Sequence, residues 1–334
     1  MKKSSNRYAV FFFLIITITA AISLFFYSTH DNKAAITSGR VKIVFLPKVL
    51  DKTNDFWVDI TEGVNLAASE NNIDLTTMGP DAETEFQKQN QMIEKAIAMQ
   101  PNAIALVPAD YDKTVPYAEK IEEAGIKLVL MDSVMDKDMG SCVVSTDNYE
   151  GGYKMGQYMM RYANADSVIG IVGHIKGTST AVQREAGLRA GLGDYSKKIV
   201  DVVFCDSNFE KAYRVTKQMI KDHPDMNIIF GLNEYSSVGA ARAVKDLGLS
   251  GKIHMIGFDS SIEEVQLLEE GVFDAIVVQK PLNMGYLGVS MAYQAALNDT
   301  NIPAYVDSGS ELITKDSIYT DENQKLLFRF HENE

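Results

Sequence analysis

Amide, carboxylate, guanidinium and aromatic side chains recur in this chain just after short apolar runs. They are Asn54, Phe56 and Trp57 in TNDFW, Asp132 and Ser133 in LMDS, Arg184 in GTSTAVQREAGL, Asn233 in GLNE, Asp259 in GFDSS and Gln279 in VVQKP. Planar bidentate donors and acceptors match vicinal hydroxyls, and aromatic faces pack against the apolar C–H side of a ring. Together they are the chemistry for holding a sugar-like polyol. Singly, each has a plainer explanation: Asn, Asp and Ser after strands cap helices or form turns, Phe56 with Trp57 suits a core, and a lone Arg suits a surface ion pair. Recurrence of the whole set at successive strand ends is what those explanations do not cover. Rival chemistries lack their motifs. GIVGHIKG has neither phosphate-loop nor dinucleotide-loop spacing, and the chain carries no GxSxG elbow, HExxH helix or Cys/His nucleophile pair. DSNFEKAY (206–213) lacks the central glycine and terminal glutamate of a calcium loop. A non-enzymatic protein without metal or cofactor is therefore expected.

The elements that position these residues follow from hydrophobic periodicity. In residues 168–192 an apolar β-branched run ends in a Gly/Ser/Thr loop, and a helix beginning near Ala181 carries Arg184 in its first turn. Similar units precede and follow it. Strands are predicted at 41–47, 73–79, 103–108, 127–132, 142–146, 200–206, 227–233, 252–259 and 275–279. Helices are predicted at 56–71, 83–99, 115–124, 149–162, 210–222, 237–247, 262–270 and 284–297. Strands alternating with helices over short loops give parallel sheets covered on both faces. In open α/β sheets ligands bind beyond the carboxyl ends of the strands. There are too many βα units for one compact sheet, so two similar lobes are expected. Asp307, Ser308 and Gly309 read as a late connection with turn chemistry, and the helix after Pro281 returns to the first lobe.

Composition narrows the function further. The 334 residues suit two domains, and the formal net charge of −13, from 45 acidic and 32 basic residues, argues against nucleic acid or anionic membrane surfaces as main partners. Lys2, Lys3 and Arg7 precede an uncharged, mostly apolar run at 8–27. That is a membrane anchor or a secretory signal. No small-x-small cleavage site follows, which favours an anchor with the rest of the chain outside; secretion after cleavage is the alternative. Residues 30–40 read as a polar linker.

In this order and at these intervals, TNDFW, LMDS, TDNYEGG (146–152), GTSTAVQREAGL (177–188), HPDMNIIFGLNEYSSVGA (223–240), IGFDSS (256–261) and VVQKP resemble the type I periplasmic binding proteins of the ribose/galactose-binding type. The resemblance covers residues 41–309. It implies two Rossmann-like lobes joined by a three-segment hinge that close over a ligand, with crossings near 146–147, 279–280 and 308–309. It places the family's binding asparagine and stacking aromatics on Asn54, Phe56 and Trp57, and its first-lobe carboxylate on Asp132. The second-lobe arginine, asparagine and aspartate fall on Arg184, Asn233 and Asp259, and the hinge glutamine on Gln279. Two positions depart from the ribose binders: Ser133 replaces an arginine, and a second-lobe aromatic is replaced at about Ser207. Both changes alter which hydroxyls can be read.

The expected organisation is an anchor and linker at 1–40, an N-terminal lobe of 41–146 plus 281–308, and a C-terminal lobe of 147–280 plus 309–334. The expected function is extracytoplasmic binding of a monosaccharide, with the closed form presented to a membrane partner, either the permease of an ATP-driven importer or a sensor histidine kinase. Binding of a non-sugar ligand such as a carboxylate is the alternative. A ligand-responsive transcription regulator of the same fold is disfavoured, because the position its helix-turn-helix needs holds the apolar run. Cys142 and Cys205 fall in different lobes, where a disulfide would restrain closure. Thiol titration of the unreduced, denatured protein is expected to count two free thiols; a count of zero would refute the assignment.

Overall fold

The computed structural model describes residues 39–328. The apolar run at 8–27 lies outside the described residues; among those described, no helix is long and apolar enough to cross a membrane. The body from Lys42 onward begins as repeated βα units: β1 (Lys42–Leu46), α1 (Asp55–Glu70), β2 (Asp74–Thr77), α2 (Phe86–Ala98), β3 (Ala103–Leu106), α3 (Val115–Glu123), β4 (Lys127–Met131) and β5 (Cys142–Ser145). A second series follows as α4 (Asn148–Met159), β6 (Ile169–Gly173), α5 (Ser179–Leu192), β7 (Ile199–Phe204), α6 (Phe209–Asp222) and β8 (Ile228–Gly231). It continues through α7 (Glu234–Asp246), β9 (His254–Phe258), α8 (Ile262–Glu269) and β10 (Ala275–Gln279). The chain closes with α9 (Pro281–Ala296), β11 (Tyr305–Asp307), β12 (Ser310–Thr314) and α10 (Asp321–Leu327).

The strands form two six-stranded sheets, ordered β11-β5-β4-β3-β1-β2 and β12-β10-β9-β8-β6-β7. Every pair is parallel except β10 with β12. AIAL in β3 and IIFG in β8 are wholly buried, as strands covered on both faces must be. The two sheets repeat one order, each with a last strand from the chain end added at the same edge. The chain passes between the sheets three times: after β5, after β10, and through Ser308 and Gly309 between β11 and β12. Gly309 takes the positive φ, 85°, that this last turn requires. Helix α9 packs on α1 and on β3 and β4, so it returns to the first sheet.

Several helices start earlier or later than periodicity indicates, and for two of them a cap decides the boundary. Helix α5 begins at Ser179, with the Thr178 hydroxyl accepting from the Ala181 N–H, so Arg184 lies in its second turn rather than its first. Helix α7 begins at Glu234, fixed by a capping box between Asn233 and Ser236. Helix α9 begins at Pro281, whose missing N–H is harmless at the first helical position. Helix α2 begins only at Phe86, which leaves Glu83 in the preceding loop. The connection read from sequence at Asp307, Ser308 and Gly309 is flanked by two short strands, β11 and β12, each paired in a different sheet.

Helices α4 and α5 pack with almost no space between their backbones. A Cβ added to Gly152 would stand 2.0 Å from the carbonyl oxygen of Arg184, and one added to Gly187 would stand 1.9 Å from that of Tyr149. This contact sets the height of Arg184 above the sheet. Cys142 and Cys205 are free and buried, and burial pushes both thiols up to about 11. Gly152→Ala is expected to force the helices apart, at about 1–3 kcal/mol of stability. Denaturant unfolding monitored by circular dichroism measures this; an unchanged midpoint would mean the helices separate freely.

Candidate functional site

The carboxyl ends of the first sheet carry Asn54, Phe56, Trp57, Asp132 and Ser133. Asn54 is the N-cap of α1, its Oδ1 accepting from the Trp57 N–H at 3.2 Å. The plainer cap explanation therefore holds for its oxygen. Phe56 and Trp57 are buried in the first turn, their rings edge-to-face with centroids 5.1 Å apart. Asp132 follows β4 with φ of 57°, a left-handed conformation that Asp tolerates better than most residues. Its Oδ2 accepts from the Lys48 ammonium at 2.7 Å and from the Ser133 hydroxyl at 2.8 Å.

The second sheet carries Arg184, Asn233, Asp259 and Gln279. Arg184 is buried; its Nε donates to Asn148 Oδ1 at 2.8 Å and Nη1 to the Leu232 carbonyl at 2.7 Å. The guanidinium lies 3.8 Å over the ring of Phe258. Asn233 caps α7, accepting from the Ser236 N–H at 3.0 Å. Asp259, with φ of 91°, accepts at Oδ1 from Gln279 Nε2 at 2.6 Å and at Oδ2 from the Glu234 N–H at 2.8 Å. Asp132, Arg184 and Asp259 lie in one another's fields although they come from two lobes.

Three further residues join this cluster that the sequence did not single out. Lys48 follows β1 in FLPKV and satisfies the same strand-end rule, so it could have been found. Glu83 is buried in the loop before α2, accepting from Trp57 Nε1 at 2.9 Å and from the Ser207 hydroxyl at 2.6 Å. Ser207 thus makes a polar contact between the two lobes. Glu234, next to Asn233, is buried with its carboxylate on the amino end of α1. No local pattern marks Glu83 or Glu234, since the groups they bond come from elsewhere in the chain.

Charge is distributed unevenly across this cluster. Burial pushes the Asp132 carboxyl up, but Lys48 and Arg184 outweigh it and hold the group below the usual carboxylate range. Burial dominates at Asp259 and Glu83, which sit above their usual values despite Arg184 and Lys48 respectively. Glu234 is raised further by burial and by Asp259. Burial, with Arg184 and Lys48 nearby, keeps His174 neutral. The arrangement offers fixed donors on Lys48 and Arg184 beside fixed acceptors on Asp132 and Asp259, a pattern suited to a polyhydroxylated ligand.

The description "periplasmic binding protein domain" belongs to a family model that matches residues 43–300. The chain belongs to this family. It is similar to a D-ribose/D-allose-binding protein of Pseudomonas aeruginosa, 26% identical, with 84% of this chain and 91% of the relative covered. It is also similar to the D-allose-binding periplasmic protein of Escherichia coli, 27% identical, with 80% and 88% covered. Among solved structures it resembles a sugar transporter from Clostridium phytofermentans, with TM-score 0.79, 43% identity, and 83% of this chain and all of that one (100%) covered. A solute binding protein of an ABC transporter from Agrobacterium vitis, with bound D-fucose, superposes with TM-score 0.81 at 28% identity, covering 86% and 100% of the two chains. Two lobes of mostly parallel sheet are thus the family's architecture as well as this chain's.

The Lys48–Asp132 pair supplies a stability test. Removing one partner of a buried pair leaves an uncompensated charge, which costs about 3–5 kcal/mol. Lys48→Met is expected to lower unfolding stability by about that amount at pH 7. In the parent, the folded value of Asp132 lies below the unfolded one, so its contribution is present above about pH 4 and lost as pH falls through the folded value. In the variant, burial acts on Asp132 without Lys48, so the deficit shrinks once acid protonates the carboxyl. Denaturant midpoints at pH 7 and pH 4 measure both effects; a deficit equal at the two pH values would count against the pairing.

Proposed function

We propose that this protein binds a monosaccharide outside the cytoplasm, closes two lobes over it, and presents the closed form to the permease of an ATP-driven sugar importer. The observation that carries the proposal is the buried cluster in which Asp132 with Lys48 from one lobe faces Arg184 and Asp259 from the other. Relatives described as D-ribose/D-allose-binding and D-allose-binding proteins support the ligand class. Asn54, Phe56, Trp57, Asp132, Ser133, Arg184, Asn233, Asp259 and Gln279 line the binding site in this reading, with Lys48 added. Three hinge segments, near 146–147, 279–280 and 308–309, divide lobes of 41–146 plus 281–308 and 147–280 plus 309–334. Ligand that contacts both lobes stabilises the closed form out of an open ensemble. The protein acts by binding and release, without turnover.

A sensor histidine kinase as the listening partner is a second reading, favoured by the uncharged apolar run at 8–27, which would tether the protein beside its partner. A mature chain whose amino terminus lies beyond residue 27 would remove that support.

Calorimetric titration against pentoses, hexoses, polyols and small carboxylates tests the proposal. One monosaccharide is expected to bind tightly. Each charged hydrogen bond contributes about 1.5–3 kcal/mol, so Arg184→Ala and Asp259→Ala should each weaken binding at least about tenfold. Unchanged affinity in both variants would overturn the site, and a response to a carboxylate alone would overturn the ligand class.

A further inference from the structure

The amino ends of two helices are covered by acidic side chains from the opposite lobe. The first N–H groups of any α-helix have no partner within the helix. In α1, Asn54 covers only Trp57, while the N–H groups of Asp55 and Phe56 donate to the Glu234 carboxylate at 3.2 and 3.1 Å. The exchange is reciprocal: the Asp55 carboxylate accepts at 3.0 Å from the N–H of Ile262, the first residue of α8. Alongside, the Tyr235 hydroxyl donates to Asp51 at 2.7 Å and the Ser207 hydroxyl to Glu83. The Glu234 N–H in turn donates to Asp259, so one residue joins a site carboxylate to the helix that carries Asn54, Phe56 and Trp57.

We infer that Glu234 and Asp55 form a latch between the lobes, positioning residues that stabilise closure by protein-to-protein bonds and so scale the affinity for every ligand by one common factor. The inference rests on the reading of the protein as one that closes over its ligand. Bonds made only in the closed form bias the open–closed equilibrium whether or not ligand is present, and apparent affinity follows the closed fraction. Choice among sugars then belongs to side chains that face the ligand, such as Asp132 and Arg184.

Spin labels at Lys120→Cys and Lys197→Cys report the lobe separation; both sites are on the surface, and the native thiols are buried. Without sugar, Glu234→Ala and Asp55→Ala should each move the distance distribution toward the open form. Glu234→Gln, which keeps an amide oxygen as acceptor, should fall between. By calorimetry, each alanine variant should weaken every bound monosaccharide by the same factor, about threefold to tenfold, with the ratios between sugars unchanged. Distance distributions identical to the parent in both alanine variants would overturn the latch, as would a change in the ratios between sugars. If Glu234→Ala does not fold, Asp55→Ala decides, because that side chain is only partly buried. If no monosaccharide binds the parent, the sugar reading fails while the ligand-free distances still decide the latch.

Discussion

A guanidinium taken out of water without an ion pair is the constraint on which the rest of this structure turns. Among the described residues Arg184 has no carboxylate within ion-pair distance; it is held by the Asn148 amide oxygen, the Leu232 carbonyl and the face of Phe258. Such a charge is costly to bury unless its donors are satisfied and opposite charge lies nearby. Asp259, Asp132 and Glu83 supply that field, and two of the three belong to the other lobe. The charge balance of the site is therefore complete only when the lobes meet.

The scaffold meets this demand through close approach and backbone conformation. The Gly152 and Gly187 contacts bring α4 against α5, which fixes the backbone that carries Arg184. Asp132 and Asp259 both leave their strands with positive φ. Residues held in sparsely populated backbone regions cost about 1–3 kcal/mol each and persist where the surroundings determine them. Here the surroundings are Lys48 and Ser133 on one carboxylate, Gln279 and the Glu234 N–H on the other. Glu234 links the two halves of this arrangement, serving Asp259 through its backbone N–H and α1 through its carboxylate.

What the sequence by itself determined is what depends on neighbours a few residues away. Alternating apolar runs and amphipathic helices made the two parallel sheets legible, and the rule that strands end at the ligand side picked out Asp132, Arg184, Asp259 and Gln279. Asn54 and Asn233 were legible in both senses, as candidate contacts and as caps, and the structure confirms the caps. What only the tertiary structure decided is what depends on groups distant in the chain. Glu83 meets Ser207, and Glu234 meets the amino end of α1, across separations of more than a hundred residues. The starts of α5 and α7 moved for a related reason: a cap is a hydrogen-bond geometry, and periodicity carries no information about it. Burial between distant segments is a property of the assembled structure, so the raised carboxyls of Glu83 and Glu234 have no counterpart in any local stretch of residues.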